Sequence, residues 1–463
     1  MNLKELKNAS IHFIGVGGIG MSGIAQLLVH RGFRVSGSDM FSNSNTERLK
    51  KAGLPIMLGH EVSNLDGKDI VVVSTDIKED NAELIEAHAR DLPVFHRADM
   101  LALVMEESYG IAISGTHGKT TTTALMGWVL ETANFDPTVI NGGLMNNWES
   151  NIKVGQSVWC VAEADESDAS FLKLPRDIAL VTNMDLDHMD YYEHTETLYN
   201  AFETFTTHIR PGGVAVLGID HPQVYTLWQK IKLQQKCITY GLHAEADIKA
   251  ENIRTTPEGS IFDLVTGQTT PDMFIPLPGH HNVLNALGVA AIALECGVTA
   301  EDLKRGFSSF KGVQRRFTYV GKWQGVTIID DYAHHPVEIR ATLTAAKGAA
   351  NGRVIAVLEP HRYSRLANHF QEFATSCEEA DLTIVLPVYG AREVPQTGIH
   401  HEALVEAMKG NVHRCDHPEN LPQLIRQLAL SGDMVICLGA GSISALAHAL
   451  PNQLNQLNKQ NVT

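Results

Sequence analysis

The sequence predicts three α/β domains: a Rossmann-like domain at the N-terminus, a central domain of the P-loop ATPase type, and a Rossmann-like domain at the C-terminus. The chain has 463 residues, more than a single hydrophobic core usually supports. Short apolar runs alternate with helix-period segments along most of it, and polar breaks interrupt this alternation near Glu107 and between Lys311 and Trp323. We place the domains at residues 1–107, 108–316 and 317–463.

Each domain is expected to contain a mainly parallel sheet covered by helices, because buried strands of such sheets read as continuous apolar runs. Helical periodicity is expected at 21–30, 120–132 and 281–295, and the polar tail beyond Pro451 is expected to fray. The predicted strands are 11–14, 33–37, 70–74, 111–114, 157–162, 178–182, 213–217, 326–329, 353–358, 382–387 and 434–438.

Composition excludes several classes of protein. A net charge of −16 argues against general nucleic-acid binding, and no apolar run approaches the roughly 20 residues of a membrane helix. The polar N-terminus does not resemble a secretory signal, and the six cysteines show no C-x-x-C pair, which is typical of buried thiols in a reducing compartment. We therefore expect a cytoplasmic enzyme, a monomer or homodimer, with no membrane or nucleic-acid partner.

A first glycine loop follows the first predicted strand and precedes a helix. Its glycines would let backbone N–H groups reach a diphosphate at a helix N-terminus, and Asp39, which ends the second strand, suits a ribose hydroxyl. NAD and a UDP-sugar both contain these groups, so the loop does not choose between them, and a tight turn that packs helix on strand is the structural alternative. The glycines are Gly15, Gly17, Gly18 and Gly20.

A second loop follows the strand at 111–114 and predicts an ATP site. It departs from the strict Gly-x-x-x-x-Gly-Lys-Ser/Thr pattern because Ile113 stands at the first glycine position. Lys119 can neutralise the β- and γ-phosphates, and the Thr120 hydroxyl can bind Mg²⁺. The expected ATP-binding residues are Gly115, Thr116, His117, Gly118, Lys119, Thr120 and Thr121.

Acidic residues follow two further strands of the central domain. Glu163 should project from the carboxyl end of its strand, where ligands collect in open α/β sheets, and carboxylate oxygens suit Mg²⁺. His188 lies among carboxylates after the next strand and is a second candidate metal ligand. A solvated acidic loop and a structural histidine are the alternatives.

Asn282 and Asn285 lie three residues apart at the start of a predicted helix, on one face. An amide offers both a donor and an acceptor, which suits the edge of an adenine ring. A helix N-cap is the alternative for Asn282.

Taken together, the motifs resemble the Mur ligases of peptidoglycan synthesis, in the family's order and over nearly the whole chain. The segments that carry the resemblance are Gly15–Gly23 (GVGGIGMSG), Gly115–Thr121 (GTHGKTT), Glu163–Leu172 (EADESDASFL), Asp187–Asp190 (DHMD), His281–Asn285 (HNVLN), Arg315–Phe317 (RRF), Asp330–Pro336 (DDYAHHP) and His361–Arg365 (HRYSR).

The resemblance implies ATP-dependent ligation through an acyl phosphate, with the sugar nucleotide in the first domain, ATP and Mg²⁺ in the second and the amino acid in the third. It assigns the metal to Thr120, Glu163 and His188, and extends the sugar-nucleotide loop to Ser22. Asn282 and Asn285 would face adenine, while Arg316 and Asp331 would reach the nucleotide. The catalytic set would be Lys119, His335, Arg362 and Arg365.

Two features favour the family member that adds L-alanine to UDP-N-acetylmuramic acid. Later members of the family carry a carbamoylated lysine shortly after the segment that matches Asp187–Asp190, and residues 200–209 of this chain contain no lysine. The D-N-P-R segment of the diaminopimelate- or lysine-adding member is also absent. A ligase that recycles murein tripeptide is the nearest alternative. An NAD(P)-dependent oxidoreductase, the alternative from another class, has no need of a triphosphate loop.

Two roles in the expected chemistry stay open at this level. His335 is a candidate base for deprotonating the alanine amine, but His334 and His335 could instead be orienting groups. Arg362 and Arg365 carry guanidinium forks that pair well with carboxylates and phosphates, and a solvated basic turn is the alternative for them.

Overall fold

The first of three sheets is built from the N-terminal part of the chain; the computed structural model describes residues 3–391 and 393–460. The sheet is parallel, with the order β3-β2-β1-β4-β5. Its strands are β1 (Ser10–Ile14), β2 (Arg34–Asp39), β3 (Ile56–Leu58), β4 (Ile70–Val73) and β5 (Val94–His96). The helices around it are α1 (Ile19–His30), α2 (Ser44–Lys51), α3 (Ala82–Ala89) and α4 (Arg97–Met105).

The second sheet has ten strands in the order β15-β14-β13-β12-β11-β10-β6-β9-β7-β8. Its strands are β6 (Tyr109–Ser114), β7 (Thr138–Met145), β8 (Ser150–Lys153), β9 (Trp159–Glu163), β10 (Ile178–Val181), β11 (Val214–Gly218), β12 (Cys237–Gly241), β13 (Ile248–Thr256), β14 (Gly259–Val265) and β15 (Thr269–Ile275). The associated helices are α5 (Lys119–Thr132), α6 (Met189–Tyr192), α7 (Thr195–Thr207), α8 (Pro222–Ile231), α9 (His280–Glu295) and α10 (Ala300–Ser308).

The third sheet has the order β16-β17-β21-β18-β19-β20, and only its edge strand β16 runs antiparallel to its neighbour. Its strands are β16 (Thr318–Trp323), β17 (Val326–Asp331), β18 (Val354–Leu358), β19 (Leu382–Val385), β20 (Val412–Arg414) and β21 (Met434–Leu438). Its helices are α11 (Pro336–Ala349), α12 (Tyr363–Asn368), α13 (Phe370–Ser376), α14 (His401–Ala407), α15 (Leu421–Leu428) and α16 (Ile443–Gln460). Short 3₁₀ helices occur at Val62–Leu65, Ser170–Lys173 and Pro418–Asn420.

By internal contacts the chain divides into two compact units. The first contains residues up to Glu251 with Leu264–Thr270 and Leu284–Lys311. The second contains Asn252–Asp263, Pro271–Val283 and the chain from Gly312 onward. The three predicted α/β sheets are present, and every predicted strand is found within a few residues of its expected bounds.

The fraying expected beyond Pro451 is wrong, because α16 continues through this proline to Gln460. Leu450 and Leu454 on this helix are fully buried in an apolar cluster with Trp323 and Ile425. A proline inside a helix removes one backbone hydrogen bond. Burial of the leucines offsets that loss, at roughly 1.5–3 kcal/mol for each side chain.

All six cysteines are free, and Cys160, Cys377, Cys415 and Cys437 are buried, as expected of thiols that serve only packing. Among the described helices, none combines the length and the apolar character needed to cross a lipid bilayer.

Candidate functional site

The second glycine loop lies between β6 and α5, at the carboxyl end of a central strand of the second sheet. Gly118 is the residue before α5 and has φ +85°, and Gly115 has φ +125°, both in the left-handed region that favours glycine. A Cβ atom on Gly118 would lie 2.6 Å from Oδ1 of Asn285, and one on Gly115 would overlap the Thr182 side chain. Both the backbone conformation and the lack of space for a Cβ atom therefore favour glycine at these two positions.

The segment that follows β10 holds this loop in place. The Thr116 hydroxyl and the backbone of Asp185 exchange hydrogen bonds of 3.2 and 2.9 Å, and the N–H of His117 donates to Asn183 Oδ1 at 2.8 Å. Asp185 lies between two imidazoles, 3.3 Å from His117 Nε2 and 3.1 Å from His221 Nε2. Hydrogen bonds from His117 and then His221 hold the pKa of Asp185 well below its usual range.

Lys119, the first residue of α5, folds back over the loop. Its Nζ donates to the carbonyl oxygens of Gly115 and Thr116 at 2.6 and 3.1 Å, and it lies 2.9 and 2.8 Å from the two carboxylate oxygens of Glu166. Burial would lower the pKa of Lys119, but the charges of Glu166, Asp165 and Glu163, together with the hydrogen bond to Glu166, outweigh it, so this pKa is raised. The amine is therefore charged and held at the centre of the loop.

Glu163 ends β9 beside the start of α5. Its Oε1 accepts the Thr120 hydroxyl at 3.1 Å, and its Oε2 accepts the N–H of Gly142 at 2.7 Å. His188 lies nearby on the same loop edge, with Nε2 3.9 Å from Glu166 Oε1, and its φ of +57° is unusual for a residue with a side chain. The hydroxyl and carboxylate oxygens of Thr120 and Glu163 are the donors that Mg²⁺ prefers, so the residues present fit this metal.

The two predicted asparagines differ in their surroundings. Asn285 lies against Gly118, so the structure brings it to the second glycine loop. Asn282 is buried inside the first turn of α9, and its amide donates to the carbonyl of Pro278 at 2.8 Å. Because α9 begins at His280, Asn282 is not its N-cap, which removes the alternative considered for it.

The first glycine loop is held by side chains from its own domain. The N–H of Gly17 donates to Asp39 Oδ2 at 2.8 Å, and its carbonyl accepts from Asn45 Nδ2 at 2.8 Å. Gly15 has φ +77°, whereas a Cβ on Gly18 would make only ordinary contacts. In this arrangement the Asp39 carboxylate stabilises the loop itself. The Ser22 side chain is fully buried and donates to the carbonyl of Ile19 at 3.0 Å, away from the surface of the loop.

In the second unit, Asp331 ends β17 and is buried. Its Oδ2 accepts from the N–H of Phe317 at 2.7 Å and its Oδ1 from that of Ala333 at 2.8 Å. Burial raises the pKa of Asp331 to about 6, although the nearby Arg316 opposes the rise. The guanidinium of Arg316 lies over the Tyr332 ring, 5.1 Å from its centroid.

His335 is the N-cap residue of α11. Its Nδ1 accepts the N–H of Val337 at 3.4 Å, and Glu338 accepts the N–H of His335 at 3.3 Å, completing a capping box. An imidazole that accepts at Nδ1 carries its proton at Nε2 when neutral. This geometry favours an orienting group over a base.

The arginines expected near the substrate carboxylate flank the start of α12. Arg362 precedes the helix with φ +69°, and Arg365 Nη1 lies 3.5 Å from Nδ1 of His361. Burial, with help from His334 and Arg365, lowers the pKa of His361 to about 4, so this ring is neutral and accepts from the arginine.

Sequence reasoning missed several residues that complete the first-unit site. Glu166, the ion-pair partner of Lys119, belongs to an acidic run from which only Glu163 was selected. Asn183 and Asp185, which anchor the loop, directly follow the strand that precedes His188. In both cases the position after a strand of the parallel sheet was the available signal.

Three family models match the chain in sequence order. They are described as "Mur ligase family, catalytic domain" at residues 10–109, "Mur ligase middle domain" at 113–293 and "Mur ligase, glutamate ligase domain" at 315–441.

Curated relatives named UDP-N-acetylmuramate–L-alanine ligase are similar over almost the full length. The Brucella anthropi protein is 46% identical over 460 residues, covering 97% of this chain and 98% of the relative. The Brucella ovis protein is 46% identical over 463 residues with the same coverage.

Solved structures share the architecture. The Thermotoga maritima UDP-N-acetylmuramate–alanine ligase superposes with a TM-score of 0.82 at 26% identity, covering 98% of this chain and 100% of that one. A murein peptide ligase from Psychrobacter arcticus superposes with a TM-score of 0.69 at 24% identity, covering 96% and 99%, and shows likeness of fold alone.

Proposed function

The chain belongs to the Mur ligase family, and we propose that it uses ATP to join L-alanine to the carboxylate of UDP-N-acetylmuramic acid. The observation that carries the proposal is Lys119, a charged amine held over a glycine loop at the start of α5. A loop of this kind serves phosphoryl transfer, and the relatives at 46% identity are named for this substrate pair.

The chemistry requires activation of a carboxylate, because oxide is too poor a leaving group for an amine to displace. The muramyl carboxylate oxygen attacks the γ-phosphorus of ATP, which forms an acyl phosphate and releases ADP. The alanine amine then attacks the acyl carbon, the C–O bond to phosphate breaks, and inorganic phosphate leaves as the amide forms. The alanine ammonium loses two of its three protons to solvent or a base, and the amide nitrogen keeps the third.

Lys119 would stabilise the charge that spreads over the phosphoryl oxygens during the first step. To meet those oxygens, its Nζ would exchange part of its contact with Glu166 for contact with phosphate. Glu166 would then act as a positioning residue that sets the direction of the amine. The left-handed glycines fix the course of the loop, and Asn183 accepts the N–H groups of Thr116 and His117 at 3.2 and 2.8 Å, so the loop is ordered before ATP binds.

Mg²⁺ would be held by Thr120, Glu163 and His188 in the proposed site, and would supply charge neutralisation of the phosphates. Glu163 also accepts from Gly142, so its carboxylate has a fixed orientation. Asn285, beside Gly118, would bind the nucleotide at the same loop.

In the second unit, we assign the carboxylate and amino-acid contacts to Arg362 and Arg365. Arg365 is steered by the neutral ring of His361. His335 is proposed as an orienting group because its Nδ1 serves the helix cap. Arg316 and Asp331 stay the proposed nucleotide contacts of this unit.

The experiment that tests the function is a coupled ADP-release assay with purified protein, ATP, Mg²⁺ and UDP-N-acetylmuramic acid. ADP release that depends on L-alanine is expected. Release that depends instead on a murein tripeptide would reassign the chain to cell-wall recycling. No ADP release with either acceptor, together with an absorbance change of NAD(P)H at 340 nm, would overturn the ligase assignment.

A further inference from the structure

Arg97 begins α4, directly after β5, and lies between the two glycine loops of the first unit. Its Nη1 is 3.3 Å from the position that a Cβ on Gly20 would take, in the first loop. Its Nη2 donates to Asp165 Oδ2 at 2.9 Å, in the acidic run that follows β9. One guanidinium thus faces the start of α1 and the middle domain.

Asp165 connects this arginine to the ATP loop. Its Oδ1 accepts the N–H of Ser167 at 3.1 Å, which fixes the carboxylate that receives the Arg97 hydrogen bond. Glu166, the next residue, pairs with Lys119. Charged side chains of alternating sign therefore lead from the first glycine loop to the second. They are Arg97, Asp165, Lys119 and Glu166.

A purely structural role for Arg97 would be to join the N-terminal and middle domains. Several other contacts already make that connection within the first unit. Lys173 lies 2.8 Å from Asp99 on the same helix α4, and the Thr75 hydroxyl donates to Asp168 at 2.7 Å. These contacts leave the position of the Arg97 guanidinium beside Gly20 unexplained.

The start of α1 is suited to a diphosphate, because its first N–H groups and the helix dipole favour negative charge. A guanidinium offers five N–H donors in a fork that matches phosphate oxygens. Among the described residues, Arg97 donates one hydrogen bond, to Asp165, and this bond orients the fork while other N–H groups remain on the side of Gly20.

We propose that Arg97 binds the diphosphate of the sugar nucleotide and that Asp165 is the positioning residue that directs it there. The inference rests on the proposed function for the identity of the sugar nucleotide. It adds a charged side chain to a loop that would otherwise bind through backbone N–H groups.

The test is calorimetric binding of UDP-N-acetylmuramic acid and, separately, of ATP to the full chain and its variants. Arg97→Ala is expected to raise the Kd for the sugar nucleotide about 10- to 100-fold, the range of a charge-assisted hydrogen bond. Arg97→Lys should recover part of the loss, and the Kd for ATP should change less than about threefold. In turnover, KM for the sugar nucleotide should rise more than kcat falls.

Lys173→Ala is the matched control, because it removes another ion pair between α4 and the middle domain. It should leave the Kd for the sugar nucleotide within about twofold of the unchanged protein. Asp165→Asn should weaken binding less than Arg97→Ala, and should add little in the Arg97→Ala background, as expected for a residue that acts through Arg97.

Arg97→Ala that binds the sugar nucleotide as tightly as the unchanged protein would overturn the inference and leave the proposed function intact. Equal weakening by Lys173→Ala would also overturn it, in favour of domain joining. An unchanged protein that binds no UDP-N-acetylmuramic acid would overturn the inference and the proposed function together. Melting curves identify any variant that fails to fold, and Arg97→Lys then decides between the outcomes.

Discussion

Lys119 and Glu166 form a buried ion pair at the start of α5, with Nζ 2.9 and 2.8 Å from the two carboxylate oxygens. The side chains are 13% and 2% exposed, so neither charge is well solvated. Such a pair contributes less to net stability than its geometry suggests, because both charges lose hydration. Its presence at the proposed phosphate-binding loop is better explained by the need for a fixed cation there.

Replacing Lys119 by Met should separate stability from activity. We expect ADP release to fall at least about 100-fold, since a cation that stabilises the transferring phosphoryl group is lost. The protein should also lose roughly 3 kcal/mol of stability, because Glu166 becomes a buried charge without its partner. A second change, Glu166→Gln, should restore most of the stability and none of the activity.

Lys153 provides the matched control for this substitution. It lies in the same unit, is 12% exposed and pairs with Glu131 at 2.8 Å. Lys153→Met should lower the melting temperature while leaving KM for ATP unchanged. Full turnover by Lys119→Met at saturating ATP would contradict the role given to this loop.

Gly118→Ala should weaken ATP binding. The residue has φ +85°, and the added Cβ would lie 2.6 Å from Asn285 Oδ1. Gly212→Ala is the control, because Gly212 has φ +84° with no heavy atom within 4 Å of the added Cβ. Both variants should lose about 1–2 kcal/mol from backbone strain. Calorimetry should detect an increase of at least about tenfold in the Kd for ATP in Gly118→Ala alone, and equal affinities would argue against this placement of ATP.

Glu163→Gln should increase the Mg²⁺ requirement. The amide keeps the size of the side chain and one oxygen for a hydrogen bond, but it removes the negative charge that suits the metal. We expect the Mg²⁺ concentration for half-maximal turnover to rise by about tenfold or more. Glu131→Gln, at the far end of α5, is the control. The same Mg²⁺ dependence in both variants would exclude Glu163 as a ligand.

The lowered pKa of His361 predicts a pH-dependent stability. In the folded protein this pKa is about 4, against 6.5 for an ordinary histidine, so the unfolded chain binds the proton first as the pH falls. His361 therefore lowers stability progressively from about pH 6.5 towards pH 4, and has no such effect above pH 7.

The free energy of unfolding should fall between pH 7.5 and pH 5 in the unchanged protein. In His361→Gln this fall should be smaller by about 1 kcal/mol, after allowance for partial solvent screening. Urea unfolding at the two pH values measures it. His417→Gln, at an exposed histidine in the same unit, is the control for the general effect of removing an imidazole. If the free energy of unfolding fell more between pH 7.5 and pH 5 in His361→Gln than in the unchanged protein, this ring would be protonated in the folded protein.

The sequence predicted the central buried strands well, because runs such as 178–182 and 434–438 are buried on both faces and read as apolar. It did not predict β13–β15, where polar and apolar residues mix, or the continuation of α16 past Pro451. It also missed the strands β3, β5, β7, β8, β12, β16 and β20. The burial of Leu454 depends on contacts with Ile425 and Trp323, which are distant in sequence.

The candidate site was predicted where chemistry and position coincide, as for Lys119 and Glu163 at strand ends. The sequence did not predict which acidic residue would pair with Lys119. That Glu166, and not Asp165, pairs with Lys119 depends on how the loop after β9 folds back over α5. The orientation of His335 was likewise unknown until α11 was seen to begin beside it, with Nδ1 used by the helix cap.

Transfer of oxygen from substrate to phosphate tests the account most directly. UDP-N-acetylmuramic acid labelled with ¹⁸O in its carboxylate, incubated with ATP, Mg²⁺ and L-alanine, should yield inorganic phosphate that carries one ¹⁸O atom for each amide formed. The acyl phosphate requires this transfer, because the bond that breaks joins the acyl carbon to a former carboxylate oxygen. Unlabelled phosphate with amide formation would contradict it.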